Sequence, residues 1–251
     1  PRMNVDVRAP GTHPSSDLGG FRLSEWKDVD ELLAFRDARR AADPGTQLLF
    51  VLDDAGQAAY TSGHAGDEHG LSELDPAQLP AEEQALYEKQ GRLTPERWAA
   101  EVIPRLRAKA RETTLTFTQQ LIPIDDPDVE LLSLYRDVSL AFGTPLDCLT
   151  IATTDPSMAI AALPNGYFVG DLTPMENYHL AEHLRTAFRY EVLGLGSYLA
   201  AYVRNEPVTA EEARAVIESV RGLYEMADDV VAEWASAVTG LRWLLLSYQG
   251  S

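Results

Sequence analysis

Lysine is scarce in this chain: of its 251 residues only Lys27, Lys89 and Lys109 are lysines. With 21 Lys+Arg against 39 Asp+Glu, the formal net charge is −18. Phosphate contacts need clustered Lys and Arg, so no direct nucleic-acid binding is expected. The same acidity repels anionic membranes, and no uncharged apolar run approaches the roughly 18 residues of a membrane span. A single cysteine, Cys148, excludes an internal disulfide and makes a reducing, cytoplasmic compartment the default expectation. The opening Pro1-Arg2-Met3-Asn4 has no apolar h-region, so no signal peptide is expected, and Met3 is the expected native start. A P-loop is absent. Gly194-Leu195-Gly196-Ser197 lacks the G-x-S-x-G elbow and follows a helical pattern, which supports neither a hydrolase nor a dinucleotide fold.

What is present is ordinary globular material, 45% hydrophobic and 24% charged. The length allows one large domain or two small ones. The expected division is a flexible N-terminal arm over 1–20, an N-terminal α+β unit over 21–112, and a C-terminal α+β unit with a long C-terminal helix over 113–251.

Local signals predict most elements. Asp28 with Glu31 opens a helix that Asp43-Pro44-Gly45 stops. Leu48–Leu52 reads as a buried strand, Asp53–Gly56 as a turn and Ala58–Thr61 as the returning strand. After a polar stretch from Ser62 to Pro80, helices are expected over Ala81–Gln90 and from Thr94-Pro95 to Arg111, with a kink at Pro104. Thr114–Ile122 alternates like a strand, and Asp128–Phe142 reads as a helix closed by Gly143. Three strands are expected next, at Cys148–Thr153, Met158–Leu163 and Tyr167–Gly170, with Asn165-Gly166 as a hairpin turn. Thr173-Pro174-Met175-Glu176 then combines an N-cap, a helix-start proline and a capping-box glutamate, and its helix runs to about Tyr190. Ser197–Arg204 leans to strand. From the Thr209–Glu212 capping box to Val238 the apolar residues recur at helical spacing, as one long helix or two with a bend near Gly222. Leu241–Tyr248 is apolar enough to pack.

Both halves run helix, short strands, helix, and Glu31–Phe35 echoes Glu130–Leu134. A duplication would give two related α-β-β-(β)-α units. The class expected either way is α+β, with antiparallel sheets and helices packed on one face. The order of the second half is a helix at Asp128–Phe142, strands over Cys148–Gly170, a helix at Pro174–Tyr190, and then a strand and a helix to Ala237. With the acidity, it resembles bacterial type III secretion chaperones. That resemblance implies a small acidic α+β dimer that binds partner segments and catalyses nothing. The first 110 or so residues have no counterpart there unless the repeat is real.

Two histidine clusters stand out. His179-Leu180-Ala181-Glu182-His183 matches H-x-x-E-H. Histidines four apart stack on one helix face and can hold Zn²⁺, while the glutamate can activate a bound water. On the helical wheel Leu180, Ala181, Leu184, Ala187 and Phe188 point one way, leaving His179, Glu182 and His183 on a solvated face near Glu176. The loop His64–His69 holds the second pair, and folding it over the Pro174 helix would let His64, His69, His179 and His183 share a metal. A flexible polar loop is the competing reading. Cys148, with no histidine near in sequence, reads as a buried small hydrophobe. The acidic pairs Asp53-Asp54, Asp125-Asp126 and Asp228-Asp229 read as turns, caps and exposed faces, and no loop has EF-hand spacing.

The functional expectation is an acidic, non-catalytic, chaperone-like or adaptor-like homodimer that needs no cofactor. Its partner is expected to be a basic or nucleic-acid-associated protein. In the C-terminal stripe Tyr224, Val231 and Trp234 offer interface anchors, although an intramolecular core is the commoner use of such a stripe. The alternatives are a metal-dependent hydrolase using His179, Glu182 and His183, and an immunity protein neutralising a basic toxin.

Overall fold

The computed structural model describes residues 3–12, 17–72, 74–118, 121–122, 131–224 and 226–250. Along the chain run β1 (Asn4–Arg8), β2 (Gly20–Ser24), α1 (Val29–Ala42), β3 (Thr46–Val51), α2 (Ala55–Glu68), α3 (Ala81–Gln90) and α4 (Pro95–Glu112). Then come α5 (Leu131–Leu134), α6 (Ser139–Phe142), β4 (Leu146–Ala152), a 3-10 segment (Pro156–Ala162), α7 (Pro174–Phe188), β5 (Glu191–Leu195) and β6 (Leu199–Val203). Last are α8 (Ala210–Val220), a 3-10 turn (Arg221–Leu223), α9 (Asp228–Val238) and β7 (Trp243–Ser247).

At α1, α2, α4, α7 and α8 a side chain supplies an acceptor for the unpaired first-turn amides. Asp28 accepts from the Glu31 amide at α1, and Thr94 from the Arg97 amide at α4. Complete capping boxes at Thr173–Glu176 and Thr209–Glu212 open α7 and α8.

Among the described residues the strands form a single seven-stranded sheet in the order β1-β2-β4-β3-β5-β6-β7. Neighbours are antiparallel except β3 and β5, which run parallel through Phe50–Gly194 and Val51–Leu195. The fold is therefore α+β around one mixed sheet. Because β4 lies between β2 and β3, the two expected units share this sheet, and the boundary at 112 marks only the end of α4. Residues 4–8, expected in a flexible arm, are the edge strand β1.

The sheet is covered on both faces rather than one. Successive residues of a strand point to opposite faces, yet every residue of β6 and β7 is buried, and so is all of β3 after Thr46. Phe21, Cys148 and Phe50 are register partners and share a face. There Phe21 meets Phe35 of α1 edge-on at 5.3 Å, and Phe50 meets Phe142 of α6 at 6.5 Å. Leu49, Leu149 and Ile151 point the other way and are also buried, beneath α4 and the 3-10 segment. Cys148 is 1% exposed, and burial pushes its thiol pKa well up. An ion pair fastens α1 to the start of β5, with Arg36 Nη2 donating to Glu191 Oε2 at 2.7 Å and Arg40 donating to the same carboxylate. The outer edge of β7 is closed by phenols: Tyr135 OH accepts from Leu245 N at 2.8 Å and donates to Leu245 O at 3.0 Å, and Tyr224 OH donates to Ser247 O.

Several segments differ from the sequence reading. Ala58–Thr61 belongs to α2, because Asp54 caps the helix by accepting from the Gln57 amide, and Ala58, Thr61, Ser62 and Ala65 recur at helical spacing against the core. The expected hairpin over 158–170 is 3-10 helix followed by irregular chain. Asn165 is buried there, with Nδ2 donating to Ala58 O at 3.2 Å and Gly196 O at 2.9 Å, so its side chain serves the tertiary fold rather than a turn. Leu121 makes only isolated bridges to Tyr224 and Gly250, and residues 119–120 lie outside the described residues. Of the expected helix over 128–142, residues 128–130 also lie outside, and the rest is two four-residue helices, α5 and α6. α1 is a continuous helix of 14 residues, whereas the described part of its echo, 131–134, is a helix of four. The C-terminal stripe does divide near Gly222, where a Cβ would lie 1.8 Å from Phe117 O, so the chain passes there only as glycine.

Candidate interaction surface

The H-x-x-E-H motif lies on α7, but each of its side chains is engaged inside the fold. His179 Nε2 donates to Ala110 O of α4 at 2.7 Å. Ser219 Oγ gives its proton to Val216 O at 2.8 Å, so His183 Nε2 is the donor in its 3.2 Å bond to that hydroxyl. Phe117 and Phe188 flank the His183 ring at 4.9 and 5.8 Å, and burial holds its pKa below the ordinary histidine range. Glu182 accepts from Arg185 through both oxygens at 2.8 and 2.9 Å and from the Ser157 hydroxyl. The Arg185 guanidinium holds its carboxyl below the usual range. The three residues are half-buried rather than on a solvated face, because α4 and α8 both flank α7. Ala187, placed inward by the wheel, is exposed.

The second pair is elsewhere. His64 lies between Tyr60 and Tyr167, and His69 closes the C-terminus of α2 with its amide on Ala65 O. Among the described residues no three His, Cys, Asp or Glu side chains gather at metal-holding range, so the shared site of His64, His69, His179 and His183 is not formed. The proposed interface anchors are core. Tyr224 is 5%, Val231 3% and Trp234 0% exposed, because α8 and α9 fold the stripe inward.

A different constellation forms at the C-terminal end of β3 and β5. Asp53 follows β3 with φ +44° and turns its carboxylate onto the strand-connecting turn 196–199. Its Oδ1 accepts from Ser197 N at 2.8 Å, Ser197 Oγ at 2.7 Å and Asp54 N at 2.7 Å. Burial pushes its pKa up to about 6 against the pull of these donors. Residue 196 must be glycine, since a Cβ would lie 2.0 Å from Asp53 Oδ2. Gly196 O also accepts from Asn165 and from the Tyr248 hydroxyl. Segment 164–172 is thereby tied to the sheet end. Asp171 fixes its far side by accepting from Phe168 N at 3.1 Å and Gly250 N at 2.9 Å, and Leu172 N donates to Tyr248 O at 2.9 Å.

This anchored frame holds an aromatic row at the surface. Tyr60 and His64 of α2 meet at 4.4 Å, His64 stacks on Tyr167 at 5.0 Å, and Tyr167 meets Phe168 at 5.3 Å. Tyr60 is 59%, Phe168 50% and Val169 99% exposed. Single exposed apolar residues need no explanation, but rigid contiguous ones do. Exposed Asp54, Asp67 and Glu68 belong to the same helix or its cap. Beside the row, Ser62, Gly63 and Gly66 of α2 face Trp98 and Val102 of α4 across a groove of about 290 Å³.

Sequence reasoning missed Tyr60, Tyr167, Phe168 and Val169. Tyr60 and Tyr167–Val169 lie in segments whose pattern predicts strands, for which aromatic and β-branched side chains are the usual signal. The informative sign was Phe168-Val169 directly before Gly170-Asp171, apolar bulk at a turn with no partner strand.

Comparison of this chain with family models, with curated proteins and with solved structures finds no match.

Proposed function

We propose that this chain is an adaptor-like or chaperone-like binding protein that docks a basic protein partner on the aromatic row of α2 and segment 164–172. The observation that carries this reading is the exposure of Tyr60, Phe168 and Val169 on a segment fastened by Asn165, Asp171 and Leu172. A rigid aromatic surface costs little entropy on binding, and aromatic side chains dominate interface energies. Its acidic surroundings and the net charge of −18 favour a basic partner and steer it in. The C-terminal stripe that suggested a homodimer is internal, so the reading does not depend on self-association.

Affinity capture from the source organism, with wild type beside a Tyr60→Ser/Phe168→Ser/Val169→Ser variant, tests it. A basic protein retained by wild type, lost by the variant and released by rising salt is the expected result. The same proteins on both columns, or an acidic partner, refute it.

A further inference from the structure

The groove of about 290 Å³ between α2 and α4 holds features that packing alone does not explain. Ser62 and Gly63 lie on its α2 side at helical spacing from Ala59 and Gly66, and Trp98 lies on its α4 side. Ser62 is 7% exposed, yet its hydroxyl makes no hydrogen bond among the described residues. Its neighbour Thr61 returns its hydroxyl to Gln57 O at 2.9 Å, the usual recourse inside a helix. A buried hydroxyl left unpaired is costly, and that of Ser62 opens into the groove. Gly63 is exposed inside the helix, where glycine is weaker than alanine. A Cβ there would meet no atom within 4 Å, so the fold does not require the glycine, and its bareness keeps the groove open. Gly66 differs, since its Cβ would lie 2.9 Å from Ser72 Oγ. At the rim, Asp67 Oδ1 accepts from that same hydroxyl at 2.8 Å, and no cation of the described residues meets the carboxylate. Trp98 Nε1 donates to Ala161 O at 3.0 Å, which fixes the indole as a flat wall.

We propose that this groove takes an arginine side chain of the basic partner, with its stem against Gly63 and Trp98 and its guanidinium on the Ser62 hydroxyl and the Asp67 carboxylate. An acceptor within the groove and a second at its rim suit a planar fork of five donors better than the single nitrogen of lysine, and a guanidinium stacks on an indole face. The groove continues the aromatic row: Gly63 precedes His64, and Pro164, which also lines it, leads into the segment bearing Phe168 and Val169. Asp67 and the net charge of −18 supply the complementary charge. The source of the arginine rests on the proposed docking of a basic protein, whereas the groove itself can be tested without that partner.

Titration of isotope-labelled protein with Nα-acetylarginine amide, followed by two-dimensional NMR, tests the groove, with the lysine analogue and the uncharged citrulline analogue as comparisons. Saturable shifts at Ser62, Gly63 and the Trp98 indole are expected, with weaker binding of the lysine analogue and none of the citrulline analogue. Because a Cβ at residue 63 meets nothing, Gly63→Leu grows into the groove without displacing the fold and should abolish binding. Asp67→Asn should weaken it about tenfold or more. The Tyr60→Ser/Phe168→Ser/Val169→Ser variant, altered outside the groove, should bind the probe as wild type does. No saturable shifts, equal affinity for the lysine or citrulline analogue, binding that survives Gly63→Leu, or binding lost in the triple variant overturns the proposal. Absent shifts beside a basic protein retained in affinity capture sink the groove alone. Saturable shifts with no basic protein retained refute the docking reading and, with it, the partner as the source of the arginine.

Discussion

Asp53 shows how much one side chain can owe to residues distant in sequence. Its local signal, a doubled aspartate before a helix, is that of a turn and a cap, and Asp54 does cap α2. Besides the Asp54 amide, the partners of its carboxylate lie 144 or more positions away, on the Ser197–Leu199 turn. Burial there raises its folded pKa to about 6 from an ordinary value of 3.8. Between those values the folded protein holds the proton more tightly than the unfolded chain. The stabilising contribution is therefore complete below the unfolded pKa and is lost as pH rises through the folded one. Asp53→Asn removes this titration. The stability of wild type minus that of the variant should fall by about 2 kcal/mol between about pH 4 and about pH 7. Urea unfolding at both pH values measures it, and a difference independent of pH contradicts the assignment.

Helices were the more legible elements, because a cap and its acceptor are three residues apart. Asp28, Thr94, Thr173 and Thr209 open the helices expected of them. At α7 the Thr173 hydroxyl accepts from Glu176 N at 3.3 Å, and Glu176 Oε2 accepts from Thr173 N at 2.9 Å. Thr173→Ala should cost about 1 kcal/mol in equilibrium unfolding. No loss would mean that packing against α4 and α8 alone holds the helix. Strands were less legible, since a short apolar run carries no periodicity that separates a strand from a buried turn. Met158–Leu163 is fully buried and apolar, as a central strand would be, yet it folds as 3-10 helix against β5 and α7. The H-x-x-E-H residues do lie on a helix, but half-buried rather than on a solvated face, because a wheel shows one helix and not the two that flank it.

For the molecule as a whole, the difference between a core and an interface is measurable at Trp234. Its ring is fully buried, stands edge-on to Tyr224 at 5.5 Å and donates from Nε1 to Tyr135 OH at 3.2 Å. Trp234→Ala should cost about 3–5 kcal/mol of folding stability at any protein concentration. A variant as stable as wild type would return this residue to the surface and reopen self-association.

Composition, caps and apolar spacing set the α+β class, the helix starts and the burial of Cys148, since each depends on residues within a turn of one another or on the bulk of a side chain. Strand order, the second covered face, the ring around Asp53 and the exposed row from Tyr60 to Val169 arise only when distant segments meet. Arg22 and Asp147 pair across 125 positions, and β4 enters between β2 and β3. Side chains choose such neighbours by filling space and satisfying hydrogen bonds in three dimensions, and no local pattern records that choice.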